Sequence, residues 1–161
     1  MRFLVPAVLV AVVLTSACAS SRAVPRPYPG GTTPPAPAAA ASTTELARSL
    51  SGSPYRAGGS DPTGFDCSGL VQYVFSRVGI PLPRSVREQM ARGVAVAADE
   101  IAAGDLLFFA IDGRVASHVG IAVGSDRFVH APSSGGRVRE ERLSADYWRR
   151  RFVGARRVQV D

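Results

Sequence analysis

The spacing of apolar residues changes near Asp105, and this change restricts the fold more than any other feature of the sequence. Upstream, apolar residues recur at helical spacing through residues 70–78, and the pattern stops at Gly79. Downstream, short segments have the alternation and composition of β-strands. These segments are residues 105–110, 117–123, 127–131, 137–143 and 153–158, with a short helix expected in residues 144–151. Helices followed by strands predict an α+β domain with an antiparallel sheet.

Two motifs of the form S-x-x-E predict where further helices begin, because the serine side chain can cap the helix and the glutamate can reach back to it. They are residues 42–45 and 85–88. The first predicts a short helix that stops at Gly52, and the second predicts one that ends near Gly93. The folded domain is therefore expected to occupy residues 43–161.

The N-terminal residues have the composition of a targeting segment. A single arginine precedes twelve apolar residues, fewer than the ~20 that span a bilayer, so residues 1–17 are expected to be a signal peptide. The sequence LTSAC then resembles a bacterial lipoprotein signal, which implies cleavage before Cys18 and lipidation of that residue. Simple secretion, with Cys18 free or in a disulfide, is the alternative. Residues 18–42 are rich in proline and alanine and are expected to form a tether.

The charge of the chain suits an anionic environment. It carries 19 basic and 13 acidic residues, for a formal charge of +6, which fits a membrane surface or a wall polymer. No basic stripe interleaved with aromatic residues is present, so nucleic acid is not an expected partner. Two histidines without a cluster of acids or cysteines are too few to predict a metal site, and no cofactor is expected.

Cys67 lies at the start of a predicted helix, not inside an apolar segment. At that position the free amide groups and the positive end of the helix dipole would face its sulfur. Cysteines placed in this way, beside a cationic histidine, can have pKa values of ~3.5–7.5. Asp66 would oppose the thiolate, so a histidine is needed to compensate for it. The position predicts a nucleophile, and a structural or incidental thiol is the alternative.

The two histidines are expected to meet on one face of a hairpin. In residues 117–123, strict alternation places Val119 and its apolar neighbours toward the core and His118 on the opposite, open face. A three-residue loop at residues 124–126 would then set Gly120 opposite His130. This makes the two histidines diagonal neighbours with their backbones ~7–8 Å apart, the geometry of a base and its orienting group. Surface histidines on a half-exposed strand are the alternative.

At this point the chain resembles the NlpC family of cell-wall cysteine peptidases, which are papain-like enzymes with a permuted chain order. The matching segments are residues 55–75, 82–90, 103–109, 117–124 and 128–132. The resemblance implies a small helical lobe packed on a five- or six-stranded antiparallel sheet. It also implies that Cys67 is the nucleophile, His118 the general base and acid, and His130 the third polar residue.

Four more residues are candidates for contacts to the substrate or to the oxyanion. Tyr55 is similar to a family tyrosine near the oxyanion, although a packing role is equally expected from its sequence context. Asp66 and Ser68 flank the nucleophile. Arg84 is available to bind carboxylates of a substrate, whereas Ser85 beside it is more simply a helix cap.

The resemblance implies hydrolysis of amide bonds in peptidoglycan stem peptides through a thiolate. The γ-D-glutamyl–diaminopimelate bond is favoured, and the D-alanyl–diaminopimelate crosslink is the close alternative. An inactive module that binds wall peptides and an acyltransferase on a similar fold are the alternatives of another class. The expected partners are peptidoglycan and a membrane reached through the lipid on Cys18. A monomer in the cell envelope is expected, anchored to the outer membrane and facing the periplasm if the source is Gram-negative.

Overall fold

A computed structural model of the chain describes residues 37–134 and 136–158. The predicted signal peptide, Cys18 and most of the predicted tether lie outside these residues. Within the described ranges, no helix combines the length and the apolar character needed to cross a membrane.

The described residues form four α-helices, eight strands and one turn of 3₁₀ helix at Ala98–Glu100. The helices are α1 Pro37–Ser49, α2 Cys67–Arg77, α3 Val86–Met90 and α4 Asp146–Arg149. The strands are β1 Ser60–Asp61, β2 Gly64–Phe65, β3 Val94–Val96, β4 Leu106–Phe109, β5 His118–Ala122, β6 Arg127–His130, β7 Arg139–Arg142 and β8 Phe152–Arg157. Three helices thus precede the long strands, in the order that the change of apolar spacing predicted.

One antiparallel sheet carries most of the strands. Its order is β3-β8-β4-β5-β6-β7, and β1 pairs with β2 in a separate ribbon. The predicted α+β class, with a small helical part and a five- or six-stranded antiparallel sheet, is confirmed with six strands. The sequence missed β3, a short edge strand whose first residue, Val94, is 40% exposed.

Helix α1 begins earlier than the first S-x-x-E motif predicted. The helix starts at Pro37, and Ser42 lies in its interior instead of capping it. Proline is favoured in the first helical turn, and the alanines that follow it have the highest helix propensity. Thr43 accordingly donates its hydroxyl hydrogen bond to Ala39 O within the helix, at 2.8 Å. Residues 37–42, which the sequence assigned to the tether, are therefore helical.

The helices α2 and α4 cover opposite faces of the sheet. Leu70 and Val74 of α2 belong to an apolar cluster with Val119 and Ile121 of β5. The second face, which the alternation of β5 predicted to be open, is also buried. Trp148 of α4 packs there in a second cluster that includes the aromatic rings of β4 and β6. The prediction of an open face was wrong because side chains distant in sequence, Trp148 among them, cover it.

Candidate active site

Helix α2 begins at Cys67, as the sequence predicted. Asp66 is its N-cap, with extended backbone angles of φ −94° and ψ 177°, and its Oδ1 accepts a hydrogen bond from the Gly69 amide at 2.7 Å. Gly69 also allows close packing against the preceding loop, since a Cβ there would lie 2.0 Å from Gly59 O. A capped, tightly packed first turn therefore holds the sulfur-bearing residue.

Arg84 binds the cap of this helix from the segment before α3. Its guanidinium makes two bonds to the Asp66 carboxylate, at 2.9 and 2.5 Å, and a third to Ser68 Oγ at 2.7 Å. Burial raises the pKa of Asp66, but the hydrogen bonds from Arg84 and Gly69 outweigh it and hold that pKa below its ordinary value. Asp66 is thus an anion fixed by its neighbours. A substrate contact by Asp66, Ser68 or Arg84 stays a prediction.

Gln89 of α3 is a second support that sequence reasoning missed. Its side chain is fully buried, and its amide nitrogen donates to Ser68 O at 3.0 Å and to Pro83 O at 2.8 Å. The predicted cap of α3 is confirmed, because Ser85 accepts a hydrogen bond from the Glu88 amide. One short segment therefore supplies both Arg84 and Gln89 to the start of α2.

The sulfur of Cys67 is a free thiol that reaches the first residues of β5. The backbone amide of Val119, the residue that follows His118, lies close enough to act on the pKa of this thiol. Burial raises the pKa of the thiol above its ordinary value, the Val119 amide lowers it, and the Asp66 carboxylate raises it further. The sequence predicted a lowered pKa, and that prediction is wrong for the resting site because Cys67 is partly buried and its thiol is desolvated there.

His118 and His130 are in direct contact, as the predicted hairpin register requires. Ile121 pairs with Val129, and the Val123 amide bonds to Arg127 O, which matches a three-residue loop. His118 Nε2 lies 2.8 Å from His130 Nδ1, and the two rings are nearly perpendicular at 87°. The diagonal juxtaposition predicted from strand parity is confirmed.

Both imidazoles are held in the neutral form at physiological pH. Burial lowers the pKa of His118 to about 4, against a smaller opposing effect of the Glu141 charge. Burial and the neighbouring His118 lower the pKa of His130 to about 3. The resting site therefore contains a thiol of raised pKa and two neutral imidazoles, and the expected cationic histidine would form only when one of the rings takes a proton.

Tyr55 lies near the sulfur, from the loop that precedes β1. Burial raises the pKa of its phenol, and negative charges at Cys67 and Asp66 raise it further. Its backbone forms an isolated bridge to Phe65, two residues before the cysteine. A half-buried, protonated phenol in this place can donate a hydrogen bond to an oxyanion.

Comparison with known proteins assigns the domain that carries this site. The NlpC/P60 family profile matches residues 52–157, which is more than half of the chain. The chain belongs to the NlpC/P60 family. The matched residues contain Cys67, both histidines and all six strands of the main sheet.

Two curated relatives and a crystal structure illustrate the similarity. The chain is 46% identical over 114 residues to murein DD-endopeptidase MepH of Escherichia coli strain K12, an alignment that covers 68% of this chain and 42% of that protein. It is 40% identical over 119 residues to a γ-DL-glutamyl hydrolase of Bacillus subtilis strain 168, covering 71% of this chain and 29% of the relative. This chain thus spans less than half the length of these two relatives. A crystal structure of an NlpC/P60 family protein from Bacillus cereus superposes with a TM-score of 0.70 and 31% identity, covering 78% of this chain and 41% of that one.

Beyond the two histidines, this NlpC/P60 site contains a carboxylate that sequence reasoning missed. Glu141 Oε1 lies 3.4 Å from His130 Nε2, and the indole N–H of Trp148 donates to the other oxygen of Glu141. Strand parity explains its position, because β7 pairs with β6 so that Glu141 opposes Phe128 and is diagonal to His130. The eight-residue connection between β6 and β7 left that parity undetermined from sequence.

Proposed function

We propose that this chain is a cell-wall cysteine endopeptidase that hydrolyses amide bonds of peptidoglycan stem peptides. The observation that carries this proposal is the position of the Cys67 thiol near Val119 of β5, the residue that follows His118. His118 in turn contacts His130. Nucleophile, base and orienting group are the three parts that acyl transfer requires. The name murein DD-endopeptidase of one relative supports a wall peptide as substrate, and the name γ-DL-glutamyl hydrolase of another supports a glutamyl amide.

In the proposed reaction, Cys67 and His118 begin neutral. The thiol proton passes to His118 as the sulfur attacks the substrate carbonyl, and the imidazolium then protonates the leaving amine. Water attacks the resulting thioester while His118 accepts the water proton, which releases the acid and regenerates the thiol. The Cys67 amide and the Tyr55 phenol are proposed to stabilise the oxyanion. The site favours this order, because burial raises the pKa of the Cys67 thiol and lowers the pKa of His118 before substrate arrives.

The bond is proposed to lie next to diaminopimelate. The γ-D-glutamyl–diaminopimelate bond remains our first choice, and the name γ-DL-glutamyl hydrolase supports it. The specific observation that favours the D-alanyl–diaminopimelate crosslink is the 46% identity to a protein named murein DD-endopeptidase. Both bonds join the same kinds of group, so the two alternatives share one mechanism and differ in how the stem peptide is seated.

Mass spectrometry of muropeptides before and after digestion tests the activity and the bond together. Cleavage within a stem should shorten uncrosslinked monomers, whereas cleavage of the crosslink should convert dimers into intact tetrapeptide monomers. Cys67→Ser is the matched control, since an alcohol of much higher pKa cannot pass its proton to His118. Turnover by Cys67→Ser would contradict the assignment of the nucleophile. Binding without turnover by the unmodified chain would indicate a binding module, and transfer of the acyl group to an added amine would indicate an acyltransferase.

We also propose that the domain acts at the cell envelope, tethered through a lipid on Cys18. The support is the LTSAC sequence, the tether composition and the excess of arginine over acidic residues. No aspartate follows Cys18, which favours an outer-membrane anchor facing the periplasm over retention in the inner membrane.

A further inference from the structure

We propose that Glu141 is a positioning residue that acts through His130 to decide which nitrogen of His118 is free to accept a proton. The inference rests on the proposed function, in which His118 is the base. It comes from three groups in series: His118, His130 and the Glu141 carboxylate.

The carboxylate is held in place at the far end of this series. Arg139 Nε donates to Glu141 Oε1 at 2.5 Å, and the Trp148 indole donates to Oε2. His130 is fully buried, and its Nε2 has no hydrogen-bond partner of normal geometry within the described residues. The separation of 3.4 Å from Glu141 is slightly longer than an ordinary N–H···O bond, as is common at catalytic sites before substrate binds. A small approach of the two groups would therefore complete the contact.

The positions of the ring nitrogens make the series directional. A neutral imidazole has one N–H donor and one acceptor nitrogen. His118 uses Nε2 for His130, so Nδ1 is the ring nitrogen left to accept a proton in the proposed reaction. Nδ1 of His118 can accept a proton only if Nε2 carries the hydrogen and donates it to His130 Nδ1. His130 must then carry its own hydrogen on Nε2, which is the nitrogen that faces Glu141.

A carboxylate is suited to select this arrangement, because it accepts hydrogen bonds and cannot donate them when ionised. The hydrogen bonds from Trp148 and Arg139 lower the pKa of Glu141 in spite of burial, so its charge is kept. When the Cys67 thiol gives its proton to His118 Nδ1, the new positive charge is shared along Nε2–H toward His130 and stabilised by that anion. No proton leaves His118 toward Glu141, and the same proton later goes to the leaving amine.

Other charged groups near the series are few among the described residues. Arg139 acts on His130 in the opposite sense to Glu141, and a charge on His118 disfavours protonation of His130. On the α2 side, Cys67 and Asp66 are the titratable groups, and on the α4 side Tyr147 lines the cavity of about 230 Å³ that also borders Glu141. Glu141 is the carboxylate with a direct contact to a ring nitrogen, so it is the group to change.

Nuclear magnetic resonance tests the tautomers without requiring any activity. The chain has only two histidines, so its imidazole ¹⁵N spectrum contains two residues. At pH 7 the unmodified chain should show both rings protonated at Nε2. Glu141→Leu removes the acceptor and should populate the Nδ1–H form of both rings, whereas Glu141→Gln keeps an acceptor oxygen and should retain Nε2–H. Glu140→Leu is the matched control, since Glu140 pairs instead with Arg48 and Arg127. Unchanged tautomers in Glu141→Leu would overturn the proposal.

Kinetics test the charge. Glu141→Gln should lower kcat by about tenfold, equivalent to one unit of His118 pKa, with KM unchanged. The acid limb of its pH–rate profile should move to lower pH, because the Glu141 carboxylate raises the pKa of His118 in the unmodified chain. A merely structural role would lower the thermal midpoint without moving the limb. A pH profile and kcat equal to those of Glu140→Gln would overturn the role of the charge. If the unmodified chain hydrolyses no wall peptide, the proposed function fails while the ¹⁵N result still decides the role of Glu141.

Discussion

Gly120 keeps the space into which His118 and His130 pack, and Gly120→Ala should remove it. A Cβ at this position would lie 2.6 Å from Phe128 Cδ2, 3.0 Å from Val129 O and 3.3 Å from His130 Cβ. Ordinary carbon–carbon contacts lie at about 3.5–4.0 Å, so the Phe128 ring would have to move by about 1 Å. That ring is fully buried, and it packs against Phe109 and Trp148 with centroids 5.0 and 5.1 Å away.

The size of the effect follows from two opposing contributions. Overpacking a filled core costs about 1–3 kcal/mol. Replacing glycine by alanine in a strand returns about 0.5–1 kcal/mol, because the unfolded chain loses freedom. The free energy of unfolding should therefore fall by about 1–2 kcal/mol, and the thermal midpoint by about 3–10 °C for a domain of this size. Displacing His130 should also lengthen its 2.8 Å contact with His118 and lower kcat by about tenfold or more.

Gly124→Ala is the matched control, at the loop end of the same hairpin. A Cβ there meets nothing within 4 Å, and its φ lies outside the left-handed region. Urea unfolding followed by circular dichroism, together with hydrolysis of muropeptides, measures both effects. If Gly120→Ala and Gly124→Ala share one urea midpoint and one kcat, the argument that Gly120 sets the spacing of the histidines is refuted.

Four further predictions concern the same domain. His118→Ala should abolish hydrolysis, because no other group can replace the base. His130→Gln should keep part of the activity, because the glutamine amide can still form an orienting hydrogen bond; the reverse order of activities in a kinetic assay would exchange the two roles. The free energy of unfolding should fall as the pH drops from about 7 to 4.5, since both histidines have an ordinary pKa of 6.5 and folded values of about 4 and about 3, so the unfolded chain binds protons first; urea titrations that show no slope in this window would contradict their burial as neutral rings. Arg84→Met should lower the free energy of unfolding by about 1–3 kcal/mol, because the Asp66 carboxylate, 17% exposed, loses its paired donors; an unchanged urea midpoint would show that the pair is dispensable. Cys18→Ala should release a soluble chain that still cleaves wall fragments. Cell fractionation measures the release, and a released chain that no longer cleaves wall fragments would show that the tether is structural.

The local features of this site could be predicted from the sequence. The start of α2 follows from the apolar spacing after Cys67, and the structure adds Asp66 as the N-cap of that helix. The contact of His118 with His130 follows from strand alternation and a three-residue loop, which set side-chain parity over twelve residues of chain. Neither inference depends on which elements pack against the hairpin.

The tertiary structure decided whatever depends on burial and on distant segments. Trp148 covers the face of β5 that alternation left open, and it also fixes Glu141 beside His130. Partial burial of Cys67 near β5 raises the pKa that the helix end alone would lower, since desolvation outweighs the effect of the nearby backbone amides. The sequence by itself therefore determined which residues can form the nucleophile and base and how they are spaced. Their protonation in the resting site was decided by the packing of elements that lie far apart in the chain, because the free energy of a charge depends on everything that excludes water around it.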